Sequence, residues 1–338
     1  MKKINKLWVV LMVLAIALAF TGCKNPINTN PVTGTDPVSE QIDAINAKWQ
    51  QYKPVTVPAG NIFIETPSIT SPYKAGSLSA QFLNNGLNTL KFARYLAGLS
   101  ENVVYTDDLN DLAQHGAVLL AASNFEHEPD RPADMDEAFY NRGYQSTSSS
   151  NISSGYSTIQ AAIRGCLADA SASNVTTVGH RRWLLNPTMG KTGFGFANNR
   201  VTTQAFDRSN TENTNMDYVL WPNEGYFPLD FFGSNHPWSV SLNSAAYNFT
   251  ASSPSVKLTC LDNDREWVFS ASDKDTSGKY FNIDTTGYGM PYCIIFRPNG
   301  ISSLELEKRF RVEITGLVDS SGSQKPLVYE VEFFWLED

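Results

Sequence analysis

Gly179-His180-Arg181-Arg182-Trp183-Leu184-Leu185-Asn186-Pro187, followed shortly by Gly193-Phe194-Gly195-Phe196, is the stretch on which the reading of this chain turns. Upstream of it the apolar residues recur at helical spacing. Leu83, Leu87, Leu90, Ala93 and Ala97 form one stripe that stops at Gly98. A second helix starts after Thr106, with Asp107 and Asp108 in its first turn, where carboxylates complement the helix dipole. Its stripe is Leu109, Leu112, Ala113, Gly116, Ala117 and Leu120. A third opens near Ser157, with Gln160 at capping-box spacing, and carries Ile159, Ala162, Ile163, Cys166 and Leu167. Between these two lies a polar stretch, residues 123–155. Earlier still, Ile42, Ile45 and Trp49 predict a short helix over 38–52, and the prolines of 53–75 predict an extended connection.

Downstream the period changes. The Gly-Phe-Gly-Phe segment reads as a short glycine-bearing strand, and from about residue 201 alternation replaces helical spacing. Tyr247/Phe249, Val256/Leu258, Trp267/Phe269, Val312/Ile314 and Leu327/Tyr329/Val331/Phe333 predict short strands separated by Asn, Asp, Gly and Ser. Strands at that spacing predict an Ig-like β-sandwich of about a hundred residues. The change of period places a domain boundary at residues 233–240. No internal repeat is visible.

The N-terminus carries an address. Lys2, Lys3 and Lys6 precede an apolar run from Leu7 to Phe20, short of the ~20 residues a membrane-spanning helix needs. The run meets Thr21-Gly22-Cys23. Small residues before a cysteine resemble the lipobox of bacterial lipoproteins, which implies a signal peptide over 1–22 and a lipid on Cys23; the alternatives are an ordinary secretory signal with an incidental cysteine and a short single anchor. Phe20 departs from the usual Leu. Residues 24–37 (KNPINTNPVTGTDP) lack the apolar content to fold, so a polar tether and short helix are expected over 23–55. The protein is therefore expected outside the cytoplasm, held on a bacterial membrane at the cell surface or in the periplasm.

A net charge of −8 on 338 residues argues against a nucleic-acid partner, which wants a basic face. Of the four cysteines, Cys166 lies on a helical stripe and reads as a buried thiol. Cys260 and Cys293 sit on strand-like runs and are read either as a disulfide or as two buried thiols.

Taken together and in order, several pieces resemble the CAP domain, the SCP-like fold of cysteine-rich secretory proteins, antigen 5 and pathogenesis-related 1 proteins, in its bacterial lipoprotein branch. They are a helix ending Gly98-Leu99, Ala113-Gln114 in the next helix, His127, Ser150-Asn151-Ile152 with Gly155, a helix ending at Asp169, Gly179-His180-Arg181 and Gly193-Phe194-Gly195. The resemblance covers roughly 78–200, and Trp221-Pro222 to Leu242 resembles the segment that succeeds this domain in bacterial relatives. It implies an α+β chain: a CAP-type α/β/α sandwich over 56–235 and a small β-sandwich over 236–338. In that family the cleft often holds two His and two acids that bind a divalent metal. Carried over, His127, His180 and Asp169 match, while Ser150-Asn151 stands where a Glu-Asn pair belongs, so one acid is missing.

Without the family, two imidazoles and one carboxylate form a zinc set with an open position. The bland alternative is a pair of histidines bracing loops. A Ser150/His/Asp169 triad is disfavoured, because no Gly-x-Ser-x-Gly elbow exists. His115 falls opposite its helix stripe and reads as solvated, His236-Pro237 as a turn at the domain junction, and Arg181 and Arg182 as partners of acids or covers for apolar surface, the alternative being a grip on an anion near the cleft. The expected function is a monomeric surface binding module for a protein, glycan or lipid ligand. The alternatives are a metal-assisted hydrolase using His127, His180 and Asp169, or a lipid or sterol carrier.

Overall fold

A computed structural model describes residues 37–212 and 215–337. The signal, Cys23 and most of the tether lie outside the described residues. The N-terminal half runs α1 (Pro37–Tyr52), β1 (Phe63–Glu65), β2 (Ser77–Leu78), α2 (Ala80–Leu96), β3 (Val104–Tyr105), α3 (Asp107–Ala122), α4 (Glu137–Thr147), β4 (Ser150–Ser154), α5 (Ile159–Ala168), α6 (Gly179–Leu184), β5 (Lys191–Thr192), β6 (Phe194–Ala197) and β7 (Arg200–Gln204). The remainder is all strand: β8 (Tyr218–Trp221), β9 (Gly225–Pro228), β10 (Trp238–Leu242), β11 (Ser255–Cys260), β12 (Arg265–Phe269), β13 (Tyr280–Asp284), β14 (Tyr292–Arg297), β15 (Arg309–Thr315) and β16 (Leu327–Phe334).

The antiparallel sheet β4-β7-β6 is the middle of three layers. Helices α3 and α4 pack on one face, α5 and α2 on the other. The Gly-Phe-Gly-Phe strand explains how. A Cβ on Gly193 would lie 2.2 Å from the Leu109 backbone, and one on Gly195 2.1 Å from Ala113 O. Only glycine lets the strand approach α3 that closely. The alternate residues point the other way: Phe196 meets Phe82 of α2 edge-on, and the Phe194 ring lies beside Gly86. Helix α3 also closes the free edge of β6. Asn110 Oδ1 accepts from Phe194 N, and the Gln114 amide exchanges two bonds with Phe196 N and O, each 2.9 Å.

Local capping agrees with the pattern. Ser79, Thr106 and Thr158 each accept from a backbone N–H three residues on, an arrangement that contributes about 1 kcal/mol per helix. The α5 cap is therefore Thr158, not Ser157. Helix α4 lies inside the stretch read as featureless and polar. It is started by Asp136, whose carboxylate caps Ala138 and Phe139, and its buried face is reduced to Gly143, Ser146 and Thr147. Helix α1 is no part of a free tether: Ile45, Trp49 and Tyr52 are buried, and Trp49 packs on Phe92 (5.2 Å) and Phe231 (6.1 Å).

The strands form two facing sheets, β13-β14-β10-β8 and β12-β11-β15-β16-β9, the last pair parallel. Trp238, Phe296, Phe310, Phe269 and Phe333 interlock between them. Each such burial contributes roughly 1.5–3 kcal/mol before entropy is counted. Strands β8 and β9 precede the boundary expected at residues 235/236, yet both are hydrogen-bonded into these sheets. The segment looked like part of the first half because its strands are only four residues long and interrupted by Pro222.

The disulfide reading of Cys260 and Cys293 is corrected. Both thiols are free and buried. They lie in different sheets and face opposite ways. Cys260 points into the core between the sheets, whereas Cys293 and Ile295 point out of the sandwich onto Val175 and Val178. Matching strand alternation gave no information about which face each thiol took.

Candidate functional site

The four-stranded sheet of the sandwich is covered on its outer face by the loop and short helix that carry Gly179-His180-Arg181-Arg182. Both arginines are buried and serve this junction. The Arg181 guanidinium donates to Leu167 O (2.6 Å), Ala168 O (2.7 Å), Pro237 O (2.7 Å) and Ser239 Oγ (3.0 Å). Burial above all pushes it down to about 10, with Asp169 opposing. Arg182 pairs with buried Asp284 of β13 and donates to Thr286 O (2.8 Å) and Met290 O (2.9 Å). Neither is placed to grip an anion. The junction is why β10, which reads Trp-Ser-Val-Ser-Leu, is buried on both faces.

Beside this junction a cleft of about 190 Å³ opens, lined by His127, Ser150, Asn151 and His180, with Trp183, Phe206 and Tyr288 among the rest. Four of the five residues expected at the site thus meet in one place. The fifth, Asp169, sits behind it. It ends α5 in the left-handed conformation (φ 43°), a region Asp tolerates better than most residues, and is buried. Its Oδ1 accepts from His180 Nδ1 (2.8 Å) and its Oδ2 from Arg181 N (3.0 Å). Because the carboxylate is the acceptor, the proton stands on Nδ1 and Nε2 of His180 is left for the cleft. Burial works against a charged His180, but the hydrogen bond and charge of Asp169 together outweigh it, so its pKa is raised. Val178, just before Gly179, also holds a left-handed φ of 43°, a strained state for a β-branched residue, kept by its packing on Cys293 and Ile295.

His127 lies on the exposed loop opposite. Its Nδ1 donates to Thr147 O (2.7 Å), and the Thr147 hydroxyl returns a bond to His127 O (2.9 Å). Asn151 donates to His180 O (2.9 Å), tying β4 to α6. Ser150 is buried and its hydroxyl accepts from Gln204 Nε2 (2.6 Å). It has no histidine partner among the described residues, so no nucleophile–base pair exists there. Both Asp169 oxygens already accept hydrogen bonds, from His180 Nδ1 and Arg181 N. Among the described residues no group of three or more His, Cys, Asp or Glu is arranged to hold an ion.

Of the other two histidines, His115 departs from its reading and His236 keeps to it, in a turn at the junction closed by His236 N donating to Gly233 O (2.9 Å). His115 is not solvated: its ring packs on Phe139 of α4 at 4.7 Å, and Nδ1 donates to Asp111 O (2.8 Å). His236 Nδ1 accepts from Gly233 N (3.0 Å), and burial, helped by Arg181, pushes its pKa down to about 4. It is a neutral residue of the junction.

The sequence reading missed the aromatic wall. Trp183 packs on Phe206 at a 30° tilt (4.1 Å) and meets Tyr288 edge-on (6.3 Å). Trp183 stands three residues after His180, which on a helix puts both on one face, so a signal existed. Tyr288 lies 108 residues beyond His180 between two glycines, and only the fold brings it in.

Fold and cleft together define a three-layer α/β/α domain whose histidine-bearing cleft is abutted by a β-sandwich. Residues 88–206 match the CAP family, the cysteine-rich secretory protein family, so the chain carries a CAP domain. No curated protein and no solved structure matches the chain. Among the described residues no helix is long and apolar enough to cross a membrane.

Proposed function

We propose that this is a lipid-anchored, extracytoplasmic binding module whose ligand enters the cleft between His127, His180 and Trp183. One observation carries the reading: the cleft is pre-formed and mixed aromatic and polar, while Asp169 and Ser150 are already engaged by neighbours inside the protein. Asp169 is consumed in orienting His180 and in capping Arg181 N, and Ser150 is held by Gln204. Small-molecule sites commonly have this character, a largely apolar lining with a few convergent polar groups. The CAP match supports a module of a secretory-protein family. The basic start, apolar run and Cys23 support export and a lipid on that cysteine.

Two measurements test it. Elemental analysis of the purified chain against His127→Ala/His180→Ala is expected to show no stoichiometric zinc in either; zinc that disappears in the double variant overturns the binding reading in favour of a hydrolase. Labelled palmitate is expected to enter the wild type and not Cys23→Ser; equal labelling refutes the anchor.

A further inference from the structure

We infer that the β-sandwich is a working half of the ligand site, and that the site takes a carbohydrate chain whose rings pack against the wall of Trp183, Phe206 and Tyr288. The inference rests on the binding reading above and supplies its ligand class.

The first argument is construction. Tyr288 belongs to the β13–β14 loop, not to the CAP domain, yet it lines the cleft with His180. It is held there from both sides. A Cβ on Gly179 would stand 3.0–3.3 Å from the Tyr288 ring, so the glycine before His180 makes room for this tyrosine. The Arg182 guanidinium lies 5.2 Å from the ring centroid, and its bonds to Asp284, Thr286 O and Met290 O fix the loop on either side. A ring held this firmly loses little freedom when a ligand packs on it.

Chemistry supplies the second argument. Lining the cleft beside the aromatic residues are Ser150, Asn151, Asn174 and Thr177, neutral side chains whose hydrogen-bonding capacity is only partly used, since Gln204 donates to Ser150 and Asn151 donates to His180 O. An alkyl chain in this cleft would strip water from those groups and return no hydrogen bond, which disfavours a lipid. A strongly anionic ligand gains nothing from Arg181 and Arg182, because both are spent at the junction. A pyranose ring fits both walls: one face of C–H groups for the aromatic side, a rim of hydroxyls for the polar side.

Length is the third. His127, Asn174 and His180 also line a second, wider trough of about 540 Å³ that continues past them to Phe125 and Tyr156. Aromatics at both ends with polar groups between suit several linked rings rather than one.

The test uses the full chain with cellohexaose, chitohexaose and xylohexaose, followed by calorimetry and tryptophan fluorescence at up to millimolar oligosaccharide. At least one is expected to bind and to perturb the fluorescence. Trp183→Ala and Tyr288→Ala should each weaken it about tenfold or more, and Tyr288→Phe, which keeps the ring, should restore binding. Thermal melting of each variant separates lost binding from lost folding. Binding that ignores Tyr288→Ala while Tyr288→Phe is native-like overturns the role of the sandwich. Failure of all three sugars overturns the carbohydrate assignment. If an oriented octapeptide library binds instead and is lost in Trp183→Ala, the carbohydrate assignment fails while the binding module stands. Cleft-dependent zinc and turnover would fell both.

Discussion

Replacing Asp284 by Ala removes the carboxylate that faces the Arg182 guanidinium, and its cost follows from the burial of the pair. The two side chains are 1% and 9% exposed. The carbonyl partners of Arg182 at Thr286 and Met290 carry no charge to neutralise the guanidinium. A buried ion pair broken on one side typically costs about 3–5 kcal/mol. For a chain of this size about 2 °C of Tm accompanies each kcal/mol, so a fall of about 6–10 °C is expected. Differential scanning fluorimetry of Asp284→Ala, Arg182→Met and the double variant Arg182→Met/Asp284→Ala completes a cycle. Removing both charges should restore most of the loss, because the penalty lies in the orphaned guanidinium and not in a missing attraction. A single-variant shift below about 2 °C, or a double variant worse than the single, refutes this account of the junction.

Other outcomes follow from the same contacts. His236 is neutral in the fold with a pKa near 4, well below the ~6.5 of an unfolded histidine. The unfolded chain therefore binds the extra proton between these values, and stability should fall as pH drops from about 6.5 toward 4. Denaturant titrations of His236→Phe should lack that component; an unchanged profile refutes the assignment. His180 is shifted upward, so the stability its Asp169 pair adds is complete below about pH 6.5 and is lost as pH rises through the folded value. Subtracting a His180→Gln profile should reveal this, and a difference that grows with pH would contradict it. Gly195→Ala forces a methyl into the Ala113 backbone and should cost about 1–3 kcal/mol or more by chemical denaturation, with a neutral result disproving the close approach. Reductant should leave Tm unchanged, since Cys166, Cys260 and Cys293 are free thiols; a drop on reduction would show a disulfide.

Helices with a strong stripe and a side-chain cap, α2, α3 and α5, were legible, because local periodicity and tertiary burial agree there. Helix α4 was not, because its buried face is Gly143, Ser146 and Thr147, small and polar residues that carry no hydrophobic period. The CAP domain could be read from the order of Ala113-Gln114, His127, Ser150-Asn151, Asp169 and Gly179-His180-Arg181, and it is the domain found. The roles of those residues were less legible. Asp169, matched to a ligand position of the family, orients the His180 ring; Arg182 has the acidic partner expected of it, Asp284, but that partner lies about a hundred residues away under a sheet. Those outcomes depend on what packs on the CAP domain from a hundred residues away, and local pattern does not record a second face. Ser239 and Ser241 show the same point: they are the polar positions of the alternating Trp-Ser-Val-Ser-Leu strand, and the structure buries them against Arg181 and Cys293.

A sheet covered on both sides cannot be parted from its neighbour without injury. Cut away, the sandwich would offer water Tyr280, Cys293 and Ile295 together with an unmatched Asp284. The two halves are then less like beads on a thread than like a mortise and its tenon. Grafting either half onto another scaffold would demand that its counterpart travel with it.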